Sequence, residues 1–304
     1  MEDKKFTIIV PAYNEEISIG KTLESLVNQY SEQAEIIVVN DGSTDNTPAI
    51  VRRFKNVRLI NHNNNHGYGA SLKTGINQAS TSVLCFYDAD DQYHSGDIHK
   101  LLEAFTNVDM VVGSRGINAF KDWYRVWGKL ILHAIANFLV KQRIPDLNSG
   151  FRLVRRDVIL KYIHLLPDGF SASTTMTMAL LSRGYAVRFV PISVKKRLGK
   201  SQVKPLRDGS NTIKLITRII MLFNPLRFFV FFGLIFICLG MGYGLFKVFT
   251  NNRLGFPVGA LLIVLTGIIS FIFGFLADQI SELRLERFEK IDYARRNKKN
   301  KIYI

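Results

Sequence analysis

The sequence contains little cysteine. Of its 304 residues only two are cysteine, Cys85 and Cys238. They lie far apart in the chain, and neither has a partner at the spacing of a metal ligand. We therefore expect no disulfide and no cysteine metal site, which fits a reducing compartment.

Two nucleotide-binding signatures are also missing from the sequence, and we expect no signal peptide. No Gly-x-x-x-x-Gly-Lys-Ser/Thr run occurs, which argues against a P-loop enzyme. Gly67-Tyr68-Gly69 lacks the third glycine of a dinucleotide fingerprint and does not follow the first predicted strand. The N-terminus, MEDKKFTIIVP, leads directly into that strand, so we expect no signal peptide.

Negative charge is scarce relative to positive charge, and the formal net charge is +15. Nucleic acid could attract such a chain, but the basic residues flank apolar runs and no aromatic-basic surface motif appears. We therefore predict no nucleic-acid partner. An anionic membrane surface or lipid head group explains the placement better.

Two long apolar runs occupy the last third of the chain, at 226–249 and 256–277. Each has close to or more than the ~20 residues needed to cross a bilayer. Buried helices of a soluble core are the alternative, but the lengths and the Gly- and Phe-rich composition favour a transmembrane hairpin. Its residues Gly240, Gly242 and Gly244 permit close helix contact, which leaves a homo-oligomer open.

The charges that flank this hairpin predict its orientation. The connecting loop has one basic residue, Arg253, and the tail has many: Arg284, Arg287, Lys290, Arg295, Arg296, Lys298, Lys299 and Lys301. By the positive-inside rule, both termini of this integral membrane protein lie in the cytoplasm.

Apolar stretches alternate with amphipathic ones over the first 115 residues. Strands are predicted at 6–11, 35–39, 57–60, 83–87 and 109–113, and helices at about 17–30, 47–54, 70–79 and 96–105. Strands that alternate with helices form a parallel sheet with right-handed crossovers. We predict an α/β fold with a mostly parallel sheet.

Polar residues follow the predicted strands, at the edge where open α/β sheets bind ligands. The run 83–87 stops at Asp88-Ala89-Asp90-Asp91-Gln92, and its three carboxylates need a compensating cation. Asp90 and Gln92 offer the hard oxygen ligands that Mg²⁺ or Mn²⁺ takes beside substrate phosphates. The alternative is a solvated acidic turn that caps the next helix.

Together these segments resemble a family-2 glycosyltransferase of GT-A fold, in the group of dolichol-phosphate mannosyltransferases and bactoprenol glucosyltransferases. The resemblance covers about two thirds of the chain. It rests on motifs in the family's order: Pro11-Ala12-Tyr13-Asn14-Glu15, Asn40-Asp41-Gly42-Ser43-Thr44-Asp45, Gly67-x-Gly69-Ala70, Asp88-Ala89-Asp90-x-Gln92, Val112-Gly113-Ser114-Arg115 and Asp146-x-x-Ser149-Gly150-Phe151-Arg152.

The resemblance implies a role for each matching residue. The nucleoside of an activated sugar would contact Pro11, Tyr13, Glu15 and Asp41. Asp88 and Ala89 would lie against the donor, Asp90 and Gln92 with Asp88 would hold the metal, and Arg115 would meet phosphate. A basic loop with Lys196, Arg197 and Ser201 would fold over the diphosphate, although Gln202 replaces the family's lysine. Candidates for the acceptor phosphate are Arg125, Lys129, Ser149 and Arg152.

Carboxylates are absent from 170–178, where many relatives have an acidic residue. Transfer to a sugar hydroxyl needs a base for a proton of high pKa, whereas a phosphate monoester, with a second pKa of about 6, is largely ionised at neutral pH. A Gln-x-x-Arg-Trp motif, typical of processive synthases, is also missing. These absences favour a lipid-phosphate acceptor.

The sequence therefore predicts a membrane-anchored, metal-dependent, inverting glycosyltransferase that transfers a hexose from a UDP- or GDP-sugar to a polyprenyl phosphate. Its predicted parts are a GT-A domain at 1–205, an interface helix at 206–225, a hairpin at 226–277 and a basic tail at 278–304. The alternatives are a family-2 transferase with a hydroxyl acceptor and a non-catalytic sugar-nucleotide-binding scaffold. A nucleotidyltransferase is disfavoured because no Gly-rich loop follows the first strand.

Overall fold

The computed structural model describes residues 4–115, 134–138, 144–195, 214–215, 217–251 and 255–300. The chain divides into two compact units, Met1–Ser210 and Asn211–Ile304. The finer boundaries that we predicted at 205, 225 and 277 stay predictions.

The first unit is built on a seven-stranded mixed sheet. Its strands are β1 (Phe6–Ala12), β2 (Ala34–Asn40), β3 (Val57–Asn61), β4 (Val83–Phe86), β5 (Met110–Arg115), β6 (Arg152–Arg155) and β7 (Val187–Ile192). Their order in space is β3-β2-β1-β4-β6-β5-β7. The predicted α/β class with a mostly parallel sheet is confirmed, since only β6 runs antiparallel to its two neighbours.

Helices follow most of these strands. They are α1 (Ile19–Tyr30), α2 (Thr47–Val51), α3 (Tyr68–Gln78), α4 (Asp97–Ala104), α5 (Arg156–Tyr162) and α6 (Ala172–Ser182). In α1 the apolar residues recur at helical spacing, so Ile19, Leu23 and Leu26 all lie buried in the core. The core against which they pack includes Ile8 of β1 and Val38 of β2.

The reversed strand β6 determines which loops meet. Because β6 pairs antiparallel with both β4 and β5, those two strands point the same way. The carboxyl ends of β1, β2, β4 and β5 therefore lie at one edge of the sheet, together with the segment 144–151 that leads into β6.

The second unit contains two long helices, α7 (Pro225–Asn251) and α8 (Val258–Asn300). Within them Pro225–Thr250 and Val258–Leu283, 26 residues each, are long and apolar enough to cross a membrane. Glycines line the contact between the helices: a Cβ at Gly240 would lie 2.9 Å from Val264 N, and one at Gly267 would lie 2.7 Å from Gly233 O. Gly242 has no such neighbour within 4 Å.

Candidate active site

The loops after β1 and β2 are tied together at the carboxyl edge of the sheet. Asn14 N donates to Ser43 Oγ over 3.0 Å, and Glu15 N donates to Thr47 Oγ1 over 2.9 Å. The side chains of Tyr13 and Glu15 are partly exposed there, whereas Pro11 and Ala89 are buried. The residues predicted to bind the nucleoside thus surround one part of this edge.

Asp41 is a buried carboxylate in that part of the edge. Its side chain is 4% exposed. Oδ1 accepts hydrogen bonds from His62 Nδ1 (2.7 Å) and His66 N (3.0 Å), and Oδ2 accepts one from Gly67 N (2.7 Å). On its other side His62 Nε2 lies 2.9 Å from Thr74 Oγ1. Asp41 therefore fixes the loop between β3 and α3.

Asp88 occupies a tight position at the end of β4. The Tyr68 hydroxyl donates to Asp88 Oδ1 over 3.1 Å. A Cβ at residue 150 would lie 2.5 Å from Asp88 Oδ2, so only glycine leaves room for the carboxylate. Removal from solvent raises the pKa of Asp88, although the Tyr68 and Tyr93 hydroxyls and the charges of Arg115 and Arg152 act in the opposite direction.

Tyr68 itself is held by a close approach of two loops. Gly67 has φ +103°, and the N–H groups of Gly69 and Ala70 donate to the Asp168 carbonyl over 2.6 and 3.1 Å. A Cβ at Gly69 would lie 3.1 Å from the Asp168 carbonyl carbon. Gly67 and Gly69 thus allow the backbone of residues 167–169 to pack closely against the start of α3.

Asp90 and Gln92 lie on the short loop that follows Asp88. Asp90 is buried, and Gln92 N donates to Asp90 Oδ1 over 3.3 Å. Between them Asp91 adopts φ 54° and pairs with Lys195 Nζ at 3.5 Å. Within the described ranges no group of three His, Cys, Asp or Glu side chains could hold a metal by itself.

Two sets of contacts hold the same loop in place. The Tyr87 hydroxyl donates to Tyr93 O over 2.7 Å, and the Tyr93 ring stacks on the Phe151 ring with centroids 5.0 Å apart. In addition, Lys195 N donates to Gln92 O over 2.8 Å. The chain that enters the basic loop at 195–201 is therefore joined to the Asp-x-Asp-x-Gln loop.

Arg115, at the end of β5, forms a two-pronged ion pair with Asp146. Nε donates to Oδ2 over 2.8 Å and Nη2 donates to Oδ1 over 3.1 Å. Burial alone would raise the pKa of Asp146, but the hydrogen bonds and charge of Arg115 outweigh it and lower that pKa. The same contacts raise the pKa of Arg115. The guanidinium is thereby fixed in direction and stays cationic.

Two residues predicted for the acceptor phosphate lie deeper than expected. Ser149 and Arg152 are fully buried. Arg152 donates to Ser173 O over 2.9 Å, to Thr177 Oγ1 over 3.1 Å and to Ser149 O. The guanidinium therefore joins β6 to α6, and its role toward an acceptor stays a prediction.

Several predicted residues are not placed, and several placed residues were not predicted. Arg125, Lys129, Lys196, Arg197 and Ser201 lie outside the described residues. Tyr68 and His62 were given no role in binding, whereas Lys195 was predicted only as part of the basic loop over the diphosphate. Asp146 and Gly150 belong to the motif Asp146-x-x-Ser149-Gly150-Phe151-Arg152, and this motif is the sequence signal from which their place in the site could have been predicted.

The comparison with protein families settles the classification. The model of glycosyl transferase family 2 matches residues 7–163. The chain belongs to this family. The model of the GtrB C-terminal hairpin matches residues 224–283. Together with the two long apolar helices, that match indicates a membrane-anchored transferase, and it confirms the predicted resemblance.

Individual relatives agree with this classification. The transferase is 28% identical over 215 residues to the dolichyl-phosphate hexose transferase of Haloferax volcanii, covering 70% of this chain and 92% of that one. It is 29% identical over 222 residues to the polyprenol monophosphomannose synthase of Mycolicibacterium smegmatis, covering 67% and 81%. The structure resembles glucosyl-3-phosphoglycerate synthase from Mycobacterium tuberculosis, crystallised with Mn²⁺, UDP and phosphoglyceric acid, with TM-score 0.58, 18% identity and coverage of 71% and 78%. That likeness supports the GT-A-like fold.

Proposed function

We propose that this transferase moves a hexose from a nucleotide-diphosphate sugar to a polyprenyl phosphate at the cytoplasmic face of the membrane, with inversion at the anomeric carbon. The observation that carries the proposal is the meeting of Asp88, Asp90, Gln92 and the Arg115–Asp146 pair at one sheet edge, in a chain with an apolar hairpin. The names of the two relatives supply the acceptor class.

A divalent metal fits the oxygen donors of this loop. Asp90 and Gln92 would hold Mg²⁺ or Mn²⁺, with Asp88 nearby. Two protein ligands suffice, because Mg²⁺ is usually bound by one or two carboxylates together with substrate phosphates. When bound, the metal would offset negative charge on the diphosphate leaving group.

The chain's own residues would supply binding and orientation. Asp146 aims the Arg115 guanidinium, so the cation can meet developing negative charge without having to reorganise. Tyr68 and Gly150 fix the position of Asp88 against the donor sugar. These contacts hold the anomeric carbon in place for attack.

The acceptor follows from the absence of a suitable base. The carboxylate that lies nearest in sequence to 170–178 is Asp168, whose Oδ1 is bound by Lys73 Nζ at 2.6 Å. An ionised phosphate needs no base. Its attack on the anomeric carbon breaks the bond to the diphosphate, and a β-linked product forms from an α-linked donor.

The test is nucleotide release by the detergent-purified full chain with Mn²⁺ or Mg²⁺. A panel of UDP- and GDP-sugars is offered with and without undecaprenyl or dolichyl phosphate. We expect release that depends on the lipid phosphate. Release driven by a hydroxyl acceptor instead, or donor binding without turnover, contradicts the proposal.

Within that assay the Asp90→Asn variant tests the metal site. We expect it to fold and to lose turnover by about a hundredfold or more, because the substitution removes the buried carboxylate ligand. The matched control is Asp157→Asn, which removes an exposed carboxylate on α5. Retained activity in Asp90→Asn would refute the metal assignment.

A further inference from the structure

The donor set around Asp41 leaves room for one more hydrogen bond. An ionised carboxylate has about four lone-pair sites, two on each oxygen. Among the described residues Oδ1 already accepts from His62 Nδ1 and His66 N, whereas Oδ2 accepts from Gly67 N alone. Oδ1 is thus filled, and Oδ2 keeps one acceptor position.

The hydrogen bonds of both His62 ring nitrogens explain why the acceptor positions of Asp41 Oδ1 stay occupied. A carboxylate oxygen can only accept, so His62 Nδ1 must carry a proton, and in the neutral ring Nε2 then accepts from the Thr74 hydroxyl. The His62 side chain is 13% exposed and bonded at both nitrogens. A ligand would have to break this chain of hydrogen bonds to claim Oδ1.

The group that approaches Oδ2 must be a hydrogen-bond donor. Asp41 lies beside the end of β1, where its N–H donates to Ala12 O over 2.9 Å and the next residue is Tyr13. A carboxylate repels phosphate, so it faces the nucleoside end of a sugar nucleotide rather than the diphosphate. Donors at that end are the ribose hydroxyls, which all nucleotides share, and the N–H groups of the base, which differ between uridine and guanosine nucleotides.

Uracil and guanine make different demands on such a carboxylate. Uracil has a single ring N–H, at N3, and needs one acceptor. Guanine presents N1–H and the N2 amino group side by side, and this pair matches both oxygens of a free carboxylate, as a guanidinium does. With Oδ1 filled, guanine must leave one donor unpaired or displace His62.

We propose that Asp41, occupied on Oδ1 by His62, selects a uridine nucleotide over a guanosine nucleotide as the sugar donor. This inference rests on the proposed function for the existence of a donor site at this edge. It assigns to His62 a positioning role, since the imidazole acts on the base only through Asp41.

The test is equilibrium binding of UDP and GDP, with Mg²⁺, to the detergent-purified full chain by titration calorimetry. We expect UDP to bind about tenfold tighter than GDP or more, the cost of one unpaired donor at a charged acceptor. Equal affinities, as expected if Asp41 held only a ribose hydroxyl, would overturn the inference. So would tighter binding of GDP.

Two variants at His62 examine the mechanism. His62→Leu frees Oδ1 and should narrow the ratio of UDP to GDP affinity severalfold, while His62→Asn retains an N–H near the position of Nδ1 and should preserve the ratio. An unchanged ratio in folded His62→Leu refutes the role of His62. The wild-type ratio remains decisive if either variant fails to fold.

The outcomes separate this inference from the proposed function. UDP selectivity without any product on polyprenyl phosphate would refute the function and leave the selectivity standing. A lipid-linked product formed from a GDP-sugar, but not from UDP-sugars, would support the function and refute the selectivity.

Discussion

Position 150 has no room for a side chain, because a Cβ would lie 2.5 Å from Asp88 Oδ2 and 2.9 Å from the Tyr68 hydroxyl. We expect Gly150→Ala to displace the Asp88 carboxylate and to weaken donor binding about tenfold. The overpacking should also cost about 1–3 kcal/mol of stability. Calorimetric titration of the donor nucleotide and a thermal melt measure the two effects.

Gly96→Ala is the matched control for that substitution. Gly96 precedes α4 with φ −59° and has no atom within 4 Å of a Cβ. The Gly96→Ala variant should therefore bind the donor nucleotide with wild-type affinity and melt at the wild-type temperature. Equal behaviour of the two variants would show that the contact between Gly150 and Asp88 does not limit binding.

The Arg115–Asp146 pair predicts a specific dependence of stability on pH. The lowered pKa of Asp146 means that this carboxylate stabilises the fold above the ordinary carboxyl pKa, and the contribution is lost as the pH falls through the folded-state pKa. In Arg115→Met the carboxylate is buried without its cation, which costs on the order of 3 kcal/mol near neutral pH. Protonation relieves that cost.

The stability gap between wild type and Arg115→Met should therefore be widest near pH 7 and should shrink as the pH falls below about 5. Melting temperatures of the detergent-purified proteins at several pH values measure the gap. Arg155→Met, which breaks an exposed pair with Asp157, should show little change at any pH. A gap that widens in acid would contradict the assigned ion pair.

At the level of single residues, the sequence predicted most of the charged side chains at the strand ends and missed Tyr68 and His62, which bond to them. Asp41, Asp88, Asp90 and Arg115 stand where strands end, so the sheet brings them together. Tyr68 and His62 bond to carboxylates 20 and 21 residues away. No local pattern specifies such contacts, because they depend on how the loops after β3 fold back.

Among the elements, the alternating strands and helices of the first 115 residues were predicted to within a few residues, since each has a strong apolar period. The strands β6 and β7 were missed. β6 is four residues long, RLVR, and begins with a charged residue that is fully buried. The buried Arg152 guanidinium donates to carbonyl and hydroxyl groups of α6 and of the preceding loop, which a strand pattern does not reveal.

That packing predicts how Arg152 behaves on substitution. Arg152→Met should destabilise the fold by about 3 kcal/mol, because it removes the buried donors to the Ser149 and Ser173 carbonyls and the Thr177 hydroxyl, and leaves the Ser149 carbonyl without this partner. Arg188→Met is the control: it removes an exposed guanidinium that donates to the Ala104 carbonyl, and the melting temperature should hardly change. Thermal melts and the KM for polyprenyl phosphate are measured together. A raised KM with unchanged stability would instead place Arg152 at the acceptor.

For the whole molecule, the distribution of charge around the hairpin is the feature that bears on orientation. One basic residue, Arg253, stands in the connector, whereas eight follow the second apolar run. We expect both 26-residue apolar spans to cross the membrane, which would place the short connector on the side opposite both ends. We expect the catalytic unit and the tail to lie on the cytoplasmic side, where sugar nucleotides are found.

Cysteine labelling tests this arrangement, because the chain has only Cys85 and Cys238 to remove. In a background with both changed to alanine, we expect Arg253→Cys to react with a membrane-impermeant maleimide in intact cells. Lys55→Cys, exposed on the catalytic unit, and Lys301→Cys should react only after permeabilisation. The positive-inside rule makes the opposite pattern costly, since the basic tail would have to cross the membrane. Labelling of Lys55→Cys and Lys301→Cys in intact cells, with Arg253→Cys protected, would therefore refute both the orientation and a cytoplasmic reaction.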